Sequence, residues 1–124
     1  RRSGDDARPA ALTLIGNVEG RDVIVVDDEI DTAGSLSQAV KLVIEKGARD
    51  VYAVCVHPIF SEKAVDRLTE LPLKKIISTD TVPIPKEPRE KLGEKLQVLS
   101  VAPLLGEVIR RAHEGRSVGE MFNE

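Results

Sequence analysis

Apolar positions along the chain fall into two alternating periods. The run Val23-Ile24-Val25-Val26 has no polar alternation, which predicts a strand over 22–28 covered on both faces, as in a parallel sheet. The period then lengthens. Leu36, Ala39, Val40, Val43 and Ile44 share one face of a helix over 34–46, with Gly47 as its C-cap. Val51 to Val56 predicts a second strand, over 50–56, that ends at His57-Pro58. Ser61 then caps a helix over 62–71 with Ala64, Val65 and Leu68 inward, and Pro72 stops it. Lys75 to Ser78 and Leu96 to Val101 read as further strands. Pro103 suits the first turn of a helix over 103–114 with Leu104, Leu105, Val108 and Ile109 inward; Gly115 closes it, and Ser117 to Phe122 forms a last turn.

Three stretches carry weaker patterns. Residues 1–10 are polar, with Gly4 and Pro9, and read as a flexible arm. Leu12 to Val18 predicts a short strand before a turn at Glu19-Gly20-Arg21. Residues 80–95 hold Pro83, Pro85 and Pro88 among many charges and read as a mobile surface loop. The order βαβαβ–βα predicts an α/β domain with a mostly parallel sheet, right-handed crossovers and helices on both faces.

Composition narrows the core. Only 2% of the 124 residues are aromatic against 41% hydrophobic, so the core is built from Val, Ile, Leu and Ala. A net charge of −3 gives no nucleic-acid footprint. No apolar stretch approaches membrane-spanning length, which predicts no membrane partner. The single Cys55 reads as an inert core thiol and fits a reducing cytoplasm. His57 reads as structural, or as a neighbour of the cleft, and His113 as solvated; no Cys/His spacing suggests zinc.

The chemistry gathers where the first strand hands over to the first helix. Ligands of parallel sheets bind past the carboxyl ends of the strands, where Asp27 and Asp28 are placed. In Asp31-Thr32-Ala33-Gly34-Ser35, free backbone N–H groups and the helix dipole favour an anion. Ala33 and Gly34 let a phosphate approach the backbone, and Thr32 and Ser35 offer hydroxyls. The Asp pair suits sugar hydroxyls, directly or through a hard cation. The same residues would equally make an ordinary helix N-cap. Neither a P-loop nor a G-x-G-x-x-G is present.

Read whole, Val26 to Ser35 resembles the V-D-D-x-x-D-T-[AG]-G-[TS] loop of the ribose-phosphate pyrophosphokinase (phosphoribosyl-pyrophosphate synthetase) family, within the type I phosphoribosyltransferase fold. Arg1-Arg2-Ser3 resembles the end of that family's Lys-Arg-Arg catalytic loop, and Ile15 to Arg21 its I-G-[DE]-V-x-G-[RK] lead-in. His57 to Ser61, Thr79 to Pro83 and Leu99 to Leu105 resemble its T-H-[PG]-[VI]-[FL]-S, T-[DN]-[ST]-I-P and L-S-[VL]-A-x-L-[LI] segments.

The resemblance implies a Rossmann-like phosphoribosyltransferase fold lacking its N-terminal strands. Residues 1–124 would be one partial C-terminal domain, with 1–10 a catalytic-loop remnant and 102–124 a C-terminal helical segment. It implies transfer of pyrophosphate from ATP to ribose 5-phosphate with Mg²⁺, for nucleotide biosynthesis. Asp31, Thr32, Ala33, Gly34 and Ser35 would hold the 5-phosphate. Asp27 and Asp28 would hold ribose hydroxyls and a hydrated Mg²⁺, and Arg2 would stabilise the transferred group. Ser117 and Phe122 match part of an effector-site pattern, S-x-S-x-x-F, whose second serine is Gly119 here. ATP would contact mainly the absent part, the chain alone would be inactive, and the full enzyme would be a homo-oligomer such as a hexamer. Two alternatives stay open: a type I phosphoribosyltransferase, and a non-catalytic regulatory subunit associated with the synthetase. A receiver-like domain fits less well, because the later strand ends in His57-Pro58 rather than a phosphoacceptor Asp.

Overall fold

The computed structural model describes residues 12–61 and 63–122. Four strands form one sheet: β1 (Val23–Ile30), β2 (Val51–Pro58), β3 (Lys75–Thr79) and β4 (Leu96–Leu99). They lie side by side in chain order, every neighbouring pair parallel. The crossovers are α1 (Gly34–Glu45), α2 (Ala64–Glu70) and α3 (Lys86–Leu92), and α4 (Ala102–Glu114) follows β4. The parallel α/β sheet read from the sequence is therefore present.

Register explains the core. Val25, Ala53, Ile76 and Leu96 form one row across the four strands on a single face. On that face Val51, Ala53, Cys55 and Ile76 are almost completely buried, and from the helices Leu36, Val40, Ala64, Leu68 and Leu92 meet them. Each fully buried aliphatic side chain contributes roughly 1.5–3 kcal/mol. The next row, Val26, Val54, Ile77 and Gln97, lies on the other face, where Val26 is 72% and Ile24 62% exposed.

Strand order accounts for that asymmetry. Every crossover steps the same way, and right-handed crossovers taken in one direction lay their helices on one face. The run Val23 to Val26 is therefore not covered on both faces by the described residues: Val23 and Val25 pack on the core, while Ile24 and Val26 face outward.

Other boundaries move for local reasons. Residues 80–95 are not simply a loop. They contain α3 and a 3₁₀ turn at Gly93–Lys95. Pro88 sits in the first turn of α3, where the missing N–H costs nothing, and Lys86 pairs with Glu90 one turn on. Ile84 and Leu92 anchor the segment in the core. Leu12 to Val18 makes no strand, although Leu14 and Val18 still pack on the core. On α4, Leu104, Leu105 and Ile109 are 45–69% exposed rather than inward. The tail ends in the foreseen turn at Gly119–Phe122.

Candidate functional site: an acidic strand end and an uncapped helix

Strand β1 runs on past the acids. Asp27 stands opposite Cys55 and Glu29 opposite His57, so Asp27 and Asp28 lie inside the strand's last turn of pleats rather than beyond it. The chain leaves the sheet at Asp31, turns, and enters α1 at Gly34. The contiguous stretch Asp27 to Leu36 lines a depression of about 220 Å³. The structure thus brings together Asp27, Asp28, Asp31, Thr32, Ala33, Gly34 and Ser35. Arg2 lies outside the described residues, as does the whole 1–10 arm. Ser117 and Phe122 lie beyond α4 and do not line the depression. The Ser117 carbonyl accepts from Arg111 Nη1 at 2.9 Å, and Phe122 is 56% exposed.

The start of α1 is open. Its N-cap residue is Ala33, which offers no side-chain cap, and its first turn holds no acid. Among the described residues, none of the backbone N–H groups from Thr32 to Leu36 donates to a protein acceptor. Helix termini always leave such donors, normally met by a side chain or water. The simple capping role that Asp31 or Thr32 could have had is not taken up. The Asp31 carboxylate instead accepts from the Ser61 hydroxyl, so Ser61 ties two loops rather than capping α2.

Two residues carry backbone strain at this junction. Ala33 has φ 61° and Phe60 φ 49°, in the left-handed region where an L side chain costs about 1–3 kcal/mol. The neighbouring chain holds both. Phe60 N–H donates to the Ile30 carbonyl at 3.0 Å, and Ser61 N–H to the Asp31 carbonyl at 3.1 Å. Arg67 on α2 donates through Nη1 to the Thr32 carbonyl at 2.7 Å. A left-handed residue leading into a helix gathers successive N–H groups into a concavity that suits anions.

The acids differ in state. Partial burial, reinforced by the Asp28 carboxylate, raises Asp27 above the usual Asp range. Asp28 is held below it by a hydrogen bond from Asp27 and by the Glu29 N–H, which donates to its Oδ1 at 2.9 Å. Adjacent carboxylates pushed apart in this way titrate as a pair, Asp28 losing its proton before Asp27 as pH rises. No group of three or more His, Cys, Asp or Glu suited to a metal occurs among the described residues. Two carboxylates still suit Mg²⁺, which keeps most of its waters and takes one or two carboxylates plus substrate phosphate.

Beside the pair, His57 Nδ1 lies 2.8 Å from Thr81 Oγ1, and Thr79 Oγ1 donates to the Val56 carbonyl at 2.6 Å. His57 is thus built into the sheet's carboxyl edge, as its place before Pro58 suggested. Burial pushes the Cys55 thiol up to about 11, in keeping with an inert core cysteine. Sequence reasoning passed over Arg67 and the tie from Ser61. The signal was faint: a hydroxyl and a cation on the connection that follows the neighbouring strand. No helix among the described residues is long and apolar enough to cross a membrane.

Known proteins resemble this chain in sequence and fold. The chain is 45% identical over 112 residues to "Ribose-phosphate pyrophosphokinase" of Oceanobacillus iheyensis, covering 90% of the chain and 34% of that protein. It is 44% identical over 122 residues to the protein of that name from Aquifex aeolicus, covering 98% of the chain and 38% of the relative. The crystal structure of phosphoribosylpyrophosphate synthetase from Mycobacterium smegmatis superposes with a TM-score of 0.76 at 40% identity, over 82% of this chain and 33% of that one. The chain therefore spans between a third and two-fifths of the length of these relatives. A family model described as "Phosphoribosyl synthetase-associated domain" matches residues 5–123, and with this fold and loop behind it the chain belongs to that family.

Proposed function

We propose that this chain supplies the phosphosugar half of a ribose-phosphate pyrophosphokinase, binding ribose 5-phosphate for pyrophosphoryl transfer from ATP. One observation carries the reading: Thr32 to Leu36, whose N–H groups meet no acceptor among the described residues, line the same depression as the Asp27–Asp28 pair. The names of the relatives agree with it.

In this reading the N–H groups of Thr32 to Ser35, with the Thr32 and Ser35 hydroxyls, hold the 5-phosphate. Asp31 contributes through the loop backbone, because its carboxylate is engaged by Ser61. Asp27 and Asp28 accept from ribose hydroxyls. Mg²⁺, held through water by Asp27 and Asp28, would neutralise charge on the phosphates. Arg2 keeps the role its motif implies, stabilising the transferred group. ATP would bind mainly through residues this chain does not include. The exposed Ile24, Val26, Leu104 and Ile109 suit burial against further protein, in keeping with a homo-oligomeric enzyme.

Among the described residues, the depression is lined by the acids Asp27, Asp28, Glu29 and Asp31 and by no lysine or arginine. A bare phosphate is therefore repelled at one end and attracted at the other, so binding should depend on Mg²⁺. Calorimetry with ribose 5-phosphate and Mg²⁺ tests this. Two charge-assisted hydrogen bonds make ribose 5-phosphate at least about 100-fold tighter than ribose. Equal binding of the two, or tight binding of an unphosphorylated nucleoside alone, would reject the reading.

A further inference from the structure

We infer that Arg67 is a positioning residue for the anion loop: from behind, its guanidinium holds the Thr32–Ala33 peptide so that the loop's N–H groups stay turned toward the ligand. The inference rests on the phosphosugar reading of the loop and adds to it the device that sets its affinity.

The geometry is direct. Arg67 Nη1 donates to the Thr32 carbonyl at 2.7 Å. Arg67 does not line the acidic depression; it lines the groove between α1 and α2, with Ser37, Lys41 and Glu70. The Thr32 carbonyl therefore points away from the depression. A trans peptide is planar, with C=O and N–H opposed, so fixing that carbonyl turns the Ala33 N–H the other way, to the side of the depression. Ala33 follows at φ 61°, a conformation an alanine leaves unless its surroundings hold it. Two of the ties at this junction come from Phe60 and Ser61 and grip Ile30 and Asp31, upstream of the strained residue. Arg67 grips the peptide bond that leads directly into it.

Position also ties the guanidinium to the next residue of the loop. An ideal Cβ built on Gly34 would lie 4.0 Å from Arg67 Nη1 and 3.6 Å from Thr32 Oγ1. The guanidinium thus packs against the loop beside Gly34 and the Thr32 hydroxyl.

The test is ribose 5-phosphate titration by calorimetry with Mg²⁺, at low and high salt, on the full protein that carries this chain. Parent, Arg67→Met, and Arg67→Met combined with Ala33→Gly are compared, with circular dichroism to verify folding. Arg67→Met should weaken binding about tenfold at both salt concentrations. Adding Ala33→Gly should recover at least about threefold, because glycine enters the left-handed region freely. Undiminished binding by Arg67→Met, or no recovery from Ala33→Gly at either salt concentration, overturns the inference. A parent that does not bind ribose 5-phosphate overturns the cradle reading itself.

Discussion

The Ser61 hydroxyl donates to the Asp31 carboxylate across thirty positions of sequence, joining the loop that leaves β2 to the loop that leaves β1. The bond is exposed, so its removal costs little in folding and more in the order of the loop. Ser61→Ala should lower stability by only about 0.5 kcal/mol, the lower end for a hydrogen bond, and should weaken ribose 5-phosphate binding more than it lowers the urea midpoint. Equal loss in both would mean that the tie is purely structural.

Ala33 and Gly34 exchange the roles their names suggest. The left-handed position belongs to Ala33, whereas Gly34 has no positive φ and an added Cβ there meets only ordinary contacts. Ala33→Val places a β-branched residue where even alanine is strained, and should cost about 2 kcal/mol. Gly34→Ala should fold as well as the parent, yet weaken phosphosugar binding by narrowing the approach to the backbone. Thermal unfolding and calorimetry on the same two variants separate the effects.

The raised Asp27 acid has a signed consequence for stability. Folding favours its protonated form, so its favourable contribution is complete below the unfolded value of 3.8 and is lost as pH rises through the folded one. At neutral pH its ionised form is a burden. Asp27→Asn should therefore raise the melting temperature at pH 7, with the advantage fading below about pH 4. Asp28 has the opposite sign: its stabilisation holds at neutral pH and falls away in acid. Melting curves for both Asn variants from pH 3.5 to 7 should diverge in opposite directions.

Lys95 closes the C-terminal end of α2. Its Nζ donates to the carbonyls of Leu68, Thr69 and Leu71 at 3.1, 3.0 and 2.7 Å. A cation there satisfies helix-end carbonyls and meets the negative end of the dipole. Lys95→Met should cost about 1–3 kcal/mol in urea unfolding, with phosphosugar binding unchanged. A loss below a few tenths would show that water replaces the ammonium.

What the sequence made legible follows from what each pattern encodes. Val51 to Val56 and Leu36 to Ile44 announce a strand and a helix because burial enforces the period, and both formed. Segment 80–95 misled because its prolines and charges hide a helix that needs only Ile84 and Leu92 as anchors. The apolar stripe of α4 was visible in the sequence, but a stripe says which side wants cover, not whether the chain itself provides it. At the site, Asp27, Asp28 and the open helix start could be read from residue types in order. The left-handed Ala33 and the grips from Ser61 and Arg67 could not, because they depend on how two separate loops meet in space.

One-way winding also fixes what can be repaired. No substitution within α1, α2 or α3 can roof the face that carries Ile24 and Val26, since the handedness of the connections assigns those helices elsewhere. A strand laid along the outer side of β1, with its own connections advancing the opposite way, would bring a roof to that face from the acidic side of the sheet. Such a reversal is where parallel sheets open a crevice at their carboxyl ends, and Asp27 and Asp28 already stand at its lip. The flank of β1 that pairs with no strand among the described residues thus borders both the open face and the acidic stretch.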